Sequence, residues 1–410
     1  MKKIFTVISV LISISTNAQW TQVTIPTNND LLDVSFIDNN KGFVITNDSV
    51  FITTNGGTSW TSNRVISYPI GGSMNRCMFT DATHGFVCGE AGYVYATTDG
   101  GQTWVSRSTP DTPSSPFYVY YFGNLNGIWF NDNNNGWVVG DSGSIWKTTN
   151  AGVSWTKVAS GTTKNLYCVH FIDANNGWVG GNGKVLMKTS NAGATWTTST
   201  INSIYFGSAE AIFPLTASII FVADGSGYVY RSTDGGSTFN YGSQAFFRTI
   251  NDMLWVNASN GYVVGQGGAA AYSSDSGNTW TFISLAGIGF NNLKGICRAG
   301  TTTWICGQNG YLYKNPFGVG IAEVSKNESS FCVFPNPSDG KIDIRFNSAE
   351  TGTATILITD ITGKLIRSEK DAMVNSSVLS VDLSDLNTGI YFCSVQTNSG
   401  VHTQKLMINK

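Results

Sequence analysis

Thr148-Thr149-Asn150-Ala151-Gly152-Val153-Ser154-Trp155 is the stretch on which the reading of this chain turns. Its pattern, Ser/Thr-x-Asp/Asn-x-Gly-x-Ser/Thr-aromatic, occurs six times, ending at Trp60, Trp104, Trp155, Trp196, Phe239 and Trp280. Copies 41 to 51 residues apart, filled with short strand signals, describe an array of small β-sheets. The polar third position (Asn55, Asp99, Asn150, Asn191, Asp234, Asp275) can accept hydrogen bonds from N–H groups of a turn. The Gly two residues on can take positive φ. Both properties serve a chain reversal, so these six polar residues read as structural.

Working outward, Gly127-Ile128-Trp129-Phe130, Trp137-Val138-Val139 and Ile145-Trp146-Lys147 are three apolar runs separated by Asn-, Asp- and Gly-rich turns. Trp155-Thr156-Lys157-Val158 supplies a fourth. Four short strands per unit is the pattern of one propeller blade. The aromatic of the second strand recurs as Phe43, Phe86, Trp137, Trp178, Tyr262 and Trp304, with Ile220 in its place once. The first three strands therefore occur seven times, the fourth only six, and the seventh copy stops after Tyr311-Leu312-Tyr313-Lys314. Trp20-Thr21-Gln22-Val23 matches Trp155-Thr156-Lys157-Val158 and is the missing piece. The expected fold is all-β: a seven-bladed β-propeller over 19–315, closed by the N-terminal strand, because an open ring would leave an unpaired edge. Beyond it come a linker (316–330) and a small β-sandwich (331–410). Helical periodicity is absent throughout.

The repeated phrase resembles the Asp-box, or bacterial neuraminidase repeat. With Gly-Trp-Val-Val-Gly-Asp-Ser-Gly at 136–143, the unit resembles the photosystem II assembly-factor propellers. The likeness spans residues 20 to about 315. That family's photosynthetic role does not carry over, because the C-terminal segment points to a different setting. Val333-Phe334-Pro335-Asn336-Pro337, Asp360-Ile361-Thr362-Gly363-Lys364 and Leu386-Asn387-Thr388-Gly389-Ile390-Tyr391 lie among about seven short strands. In that order they are similar to the type A C-terminal sorting domain of the Bacteroidota type IX secretion system. The resemblance implies Sec export, recognition of 331–410 by the secretion machinery, and release or attachment at the outer cell surface. The N-terminus agrees with it. Lys2 and Lys3, the apolar Ile4 to Ile14 and Thr16-Asn17-Ala18 read as a signal peptide over 1–18.

Composition narrows the partners. A formal charge of -2 offers no electrostatic case for nucleic acid or an anionic membrane. Only the leader has an apolar run, and it is too short to be a transmembrane segment. Three histidines (His84, His170, His402) make a histidine metal site improbable, and neither metal nor cofactor is expected. The seven cysteines allow cross-strand disulfides Cys77–Cys88, Cys297–Cys306 and Cys332–Cys393, with Cys168 left over. The other reading is seven small buried hydrophobes.

Candidate binding residues lie on the turns between second and third strands, on the face away from the boxes. Asn47, Glu90, Asp141, Asn182, Asp224, Gln266 and Gln308 would form a polar ring there, or merely satisfy tight turns. The insertion after Trp104 adds Tyr118, Tyr120 and Tyr121, suited to stacking on sugars or anchoring a partner, or else to a long hairpin that packs on its own blade. A sialidase would need clustered arginines. Arg64, Arg76, Arg107, Arg231, Arg248 and Arg298 do not recur at one repeat position. The expectation is a non-enzymatic module binding an extracellular protein or glycan. The alternatives are a glycoside hydrolase or lyase using two of Glu90, Asp141 and Asp224, or a scaffold for surface proteins.

Overall fold

The computed structural model describes residues 20–65, 72–110, 123–201, 203, 206–240, 242–316, 331–346, 353–360, 364–373, 378–397 and 400–410. The expected signal peptide, the part of the expected linker beyond residue 316 and Tyr118, Tyr120 and Tyr121 lie outside them. The chain divides into two compact units, Met1–Gly320 and Ile321–Lys410.

In the first unit the described residues form seven four-stranded antiparallel sheets. Their innermost strands are Asp33–Phe36, Met74–Phe79, Leu125–Phe130, Leu166–Phe171, Ala209–Pro214, Ile250–Trp255 and Leu293–Ala299. Each contacts the next in chain order, and the last contacts the first. The seventh sheet takes its fourth strand from Thr21–Gln22, with Thr21 opposite Lys314, as Thr156 stands opposite Lys147 in the third sheet.

Neighbouring sheets are joined by one repeated aromatic contact. The aromatic of a second strand stacks on the last residue of the next inner strand: Phe43 on Phe79 at 3.4 Å, Phe86 on Phe130 at 3.5 Å, Trp137 on Phe171 at 3.8 Å and Phe221 on Trp255 at 3.5 Å. Trp304 stacks on Phe36 at 4.0 Å, so the seventh sheet meets the first in the same way. In the fifth sheet it is Phe221, not Ile220, that carries the aromatic; Ile220 occupies the place of the preceding Gly. Stacked, buried rings of this size supply most of the area each junction removes from water.

The repeated phrase supports these stacks from outside. In the third copy Asn150 Oδ1 accepts from Ser154 N at 2.9 Å, and Thr148 Oγ1 accepts from Gly152 N at 2.9 Å. Gly152 has φ 77°, which a side chain would strain. The closing Trp155 then meets Phe130 edge-on at 6.2 Å, the arrangement of Trp104 on Phe79 and Trp196 on Phe171. Each phrase also bonds the hairpin between first and second strands of its own sheet, through Gly56 N to Asn40 O and Gly100 N to Thr83 O. That hairpin and the phrase therefore share one face. The second-to-third turns share the other, with the entry to the inner strand, as Glu90 N to Ser73 O and Asp141 N to Asn124 O record.

In the second unit, Phe331–Phe334, Lys341–Phe346 and Val378–Asp382 form one sheet. Leu365–Met373, Thr353–Asp360, Gly389–Thr397 and Gly400–Ile408 form another. Ile342, Ile344 and Val381 of the first share a core with Ile356, Ile358, Val395 and Leu406 of the second. Asn336 ties the Phe-Pro-Asn-Pro turn to the last strand, donating to Lys405 O at 2.6 Å and accepting from Met407 N at 2.9 Å.

The cross-strand disulfides that the sequence allows are not formed among the described residues. Cys77, Cys88, Cys168, Cys297, Cys306 and Cys393 are free thiols. The register explains two of the three pairs: Cys77 faces Val87, Cys88 faces Arg76 and Cys297 faces Trp304, so the intended partners sit diagonally.

Candidate functional site in the central channel

The seven inner strands surround a channel, and their aligned positions make rings. At the mouth, on the face away from the repeated phrases, the ring is Leu32, Asn75, Asn126, Tyr167, Glu210, Asn251 and Lys294, around a cavity of about 220 Å³ with Arg76 at its edge. Three asparagines repeat one bond. Asn75 donates to Leu125 O at 2.8 Å, Asn126 to Leu166 O at 3.0 Å and Asn251 to Leu293 O at 2.6 Å. Each amide nitrogen is thereby used on the neighbouring sheet, and each oxygen keeps acceptor capacity. Glu210 accepts from Ser208 Oγ at 2.6 Å, and burial raises its pKa. Burial also raises Tyr167, with the charges of Glu210 and Asp141 adding to it.

One step inward the chain places Asp33, Arg76 and Asp252, in a ring completed by small residues. Asp33 accepts from Val34 N and, across the sheet junction, Cys77 N, both at 2.9 Å. Asp252 repeats the device on Met253 N and Ile296 N, again at 2.9 Å. Arg76 crosses the channel from the second sheet, donating to Lys294 O of the seventh at 3.3 Å and Asn251 O of the sixth at 3.2 Å. Burial opposes its charge, but Asp33 and Asp252 outweigh that and hold the guanidinium above its ordinary pKa. Burial pushes Asp252 up to about 6 and raises Asp33 as well, with Arg76 pulling both back.

Below Arg76 a second cavity of about 400 Å³ opens toward the face of the repeated phrases. Its wall includes Met78, Trp129, His170, Phe213, Leu254 and Cys297, all half-buried. Trp129 stacks on His170 at 3.8 Å, and His170 meets Phe213 edge-on at 5.4 Å. Burial pushes the His170 imidazole down to about 3, so it is neutral at ordinary pH.

Most of the residues singled out from sequence bond to the segment that enters an inner strand, and Asp224 bonds within its own turn. Glu90 accepts from Ser73 N at 3.1 Å, Asp141 from Asn124 N and Asn126 Nδ2 at 3.1 Å, and Gln308 from Asn292 N at 2.9 Å. Asn47 accepts from Ser73 Oγ at 3.1 Å. Asn182 and Gln266 begin the corresponding turns through their backbone N–H groups. Asp224 sits one position earlier than the others, fully buried at a strand end, where it accepts from Ser226 N and Tyr228 N. The six box residues all bond within their turns; Asp99, for instance, accepts from Thr103 Oγ1 at 2.6 Å, and such bonds lower its pKa to about 2. Sequence reasoning missed Arg76, Asp33 and Asp252 because they do not recur from copy to copy. Their signal was a charge in an inner strand at a position where the other copies hold small residues. Among the described residues no three metal-ligating side chains cluster, and no helix is long and apolar enough to cross a membrane.

Known proteins share both parts of this architecture. The profile of the photosynthesis system II assembly factor YCF48 family matches residues 12–71, 63–159 and 119–245. The chain belongs to that family. A secretion system C-terminal sorting domain matches residues 332–409, which marks the chain for type IX export to the cell surface or beyond. A photosystem II assembly lipoprotein Ycf48 from Synechococcus sp. (strain CC9902) is 28% identical over 120 residues, 28% of this chain and 35% of the relative's length. The match thus spans about a third of that relative. Among solved structures, YCF48 bound to D1 peptide has a TM-score of 0.60 at 19% identity, over 74% of this chain and 96% of that one. YCF48 from Cyanidioschyzon merolae gives 0.59 at 20%, over 72% and 98%. PorZ, a surface component of the type IX secretion system of Porphyromonas gingivalis, gives 0.53 at 14%, over 93% of this chain and 60% of PorZ. These structural likenesses establish a β-propeller fold.

Proposed function

We propose that the chain is a seven-bladed propeller, closed by its N-terminal strand, that leaves the cell through the type IX system and binds an extracellular protein or glycan without catalysis. The signal peptide (1–18) and sorting domain (331–410) are its addresses, and the propeller is the working part. The mouth of the channel carries this reading. Its ring presents seven side chains of mixed chemistry around an open cavity, whereas a repeat used only as scaffold has no need of such variety. A solved family member is bound to a D1 peptide, which favours a protein partner by analogy.

The carboxylates that a hydrolase would need at this face have backbone partners. Glu90 and Asp141 each accept a main-chain N–H, which suits a turn better than acid–base work. The test is a glycan array, a pull-down from outer-surface extract and a hydrolysis screen on one purified sample. Glu210→Gln with Lys294→Ala is expected to abolish capture at unchanged melting temperature. A measured turnover abolished by Glu90→Gln and Asp141→Asn in a folded protein would overturn the reading.

A further inference from the structure

We propose that the sector of the mouth face built by the sixth and seventh sheets docks an acidic, apolar segment of another protein, with Phe247 and Phe290 as its anchors. This docking rests on the reading of the mouth as a binding face and names the chemistry of its partner.

Exposure comes first. Phe247 is 89% and Phe290 85% exposed, the two most exposed large apolar side chains among the described residues. They hold one repeat position, three residues ahead of the inner strands Ile250–Trp255 and Leu293–Ala299. The backbone fixes that position on the mouth face, since Gln266 N donates to Thr249 O and Gln308 N to Asn292 O at the second-to-third turns. The fold has no need of a ring there. Asn28 and Thr163 fill the place in the first and fourth sheets, both exposed. In the fifth sheet Phe206 fills it, but that ring is 1% exposed and meets Tyr230 edge-on at 5.2 Å. The two free rings also flank one surface. Between them runs the turn Gly267-Gly268, where a Cβ would lie 2.6 Å from Arg248 Nη1 on one side and 2.5 Å from Gly289 O on the other. Two exposed rings beside a floor of bare backbone are suited to anchoring a partner chain.

Charge then selects the partner. At their second-to-third turns the first, second, third and fifth sheets carry Asp48, Glu90, Asp141 and Asp224, whereas the sixth and seventh carry Gln266 and Gln308. The charged side chains that this sector shows at the mouth are the exposed Arg248 and the ring residue Lys294. Asp30, at the border with the first sheet, is taken up by Asn309 N at 3.0 Å and Gln308 Nε2 at 3.3 Å. Glu210 belongs to the fifth sheet and accepts from Ser208 Oγ. Two phenyl rings select apolar side chains, because they hold no polar atom for a glycan's hydroxyls. Two cations beside them select carboxylates, and the same pair would repel a second copy of this chain docked through the same patch. A segment in which apolar residues alternate with Asp or Glu meets both demands.

The experiment offers the full chain an array of short peptides in which Phe and Leu alternate with Asp, with Lys or with Ser, and a control in which Ala alternates with Asp. The Phe/Leu–Asp series is expected to be retained and the other three not. In solution, the best of these peptides should lose at least about tenfold in affinity, ~1.4 kcal/mol, when Phe247→Ser and Phe290→Ser are combined. The melting temperature should stay unchanged, because rings this exposed support no core. Arg248→Glu should lower the affinity as well and weaken its dependence on salt. Equal retention of the Lys series, no retention of any peptide, or full affinity in the double variant would each overturn the assignment. So would a lower melting temperature of the double variant, a dimer that depends on the two rings in sedimentation, or a glycan-array signal lost with them. Partner capture lost in Glu210→Gln with Lys294→Ala but kept in the double Phe variant would sink this docking and leave the mouth reading standing. A turnover measured at the mouth would sink that reading and leave the peptide order intact.

Discussion

Asp99 and Asp252 each accept two backbone N–H groups at 2.9 Å, yet they end in opposite electrostatic states. Asp99 belongs to a repeated phrase, stands in solvent, and is held at a pKa of about 2 by Thr103 and its neighbours. Asp252 belongs to the channel, where burial drives it to about 6 against the pull of Arg76. The difference has two sources: the hydroxyls of Thr103 and Thr97 add to the backbone bonds that lower Asp99, and burial outweighs the bonds to Asp252. The two also differ in reach. Asp99 ties together its own turn, whereas Asp252 and Asp33 each grip the inner strand of the following sheet. What is repeated around the ring builds it, and what is not repeated gives the channel its chemistry.

The largest effect is expected where the repeated side is broken. Deleting Trp20 to Val23 would bare the edge of Leu312–Asn315 and remove the edge-on contact of Trp20 with Tyr262 at 6.0 Å. The thermal midpoint should fall by more than about 10 °C, the scale of several kcal/mol in a domain of this size. A truncated protein that melts with the full-length chain would sink the closure argument.

The same division sets what is legible in the sequence. Strand count, the box residues and the pairing of Thr21–Gln22 with Leu312–Asn315 are readable from self-similarity, because one copy predicts the next. Ile220 is easily taken for the stacking residue in place of Phe221, because the fifth copy lacks the Gly that marks the start of the second strand elsewhere. Arg76, Asp33 and Asp252 are invisible to that comparison, since at their position other copies hold Gly127, Cys168, Ala211 and Gly295. They meet because the inner strands of the first, second and sixth sheets line one channel. The tyrosines of the insertion lie outside the described residues, so their role stays an expectation from sequence.

A pair of tryptophans sharpens the contrast. Trp137 is 1% exposed and stacks on Phe171, so Trp137→Ala should cost about 3–5 kcal/mol, read as a shift in urea midpoint. Trp129 lines an open chamber, where loss of the ring leaves solvent rather than a void. Trp129→Ala should cost less than about half as much by the same argument. Equal losses would mean that the chamber wall is as much a part of the folding core as the junctions are.

The smallest effect is the most diagnostic, because its sign differs between the two classes of acid. Asp252 has a folded pKa raised to about 6 against about 4 in an unfolded chain. Its contribution is therefore full below about pH 4 and is lost as pH rises toward 6. Asp33, Glu210 and Asp224 are raised by burial and push the same way. Asp99, held at about 2, contributes above about pH 4 and loses that contribution only as pH falls toward 2. Denaturation midpoints of Asp252→Asn and the unaltered protein should thus diverge between about pH 4 and 6, with the variant gaining by on the order of 1–2 kcal/mol. The corresponding comparison for Asp99→Asn should be flat in that interval and change only below it. If Asp252→Asn gave a flat difference instead, Arg76 would be compensating its carboxylate fully.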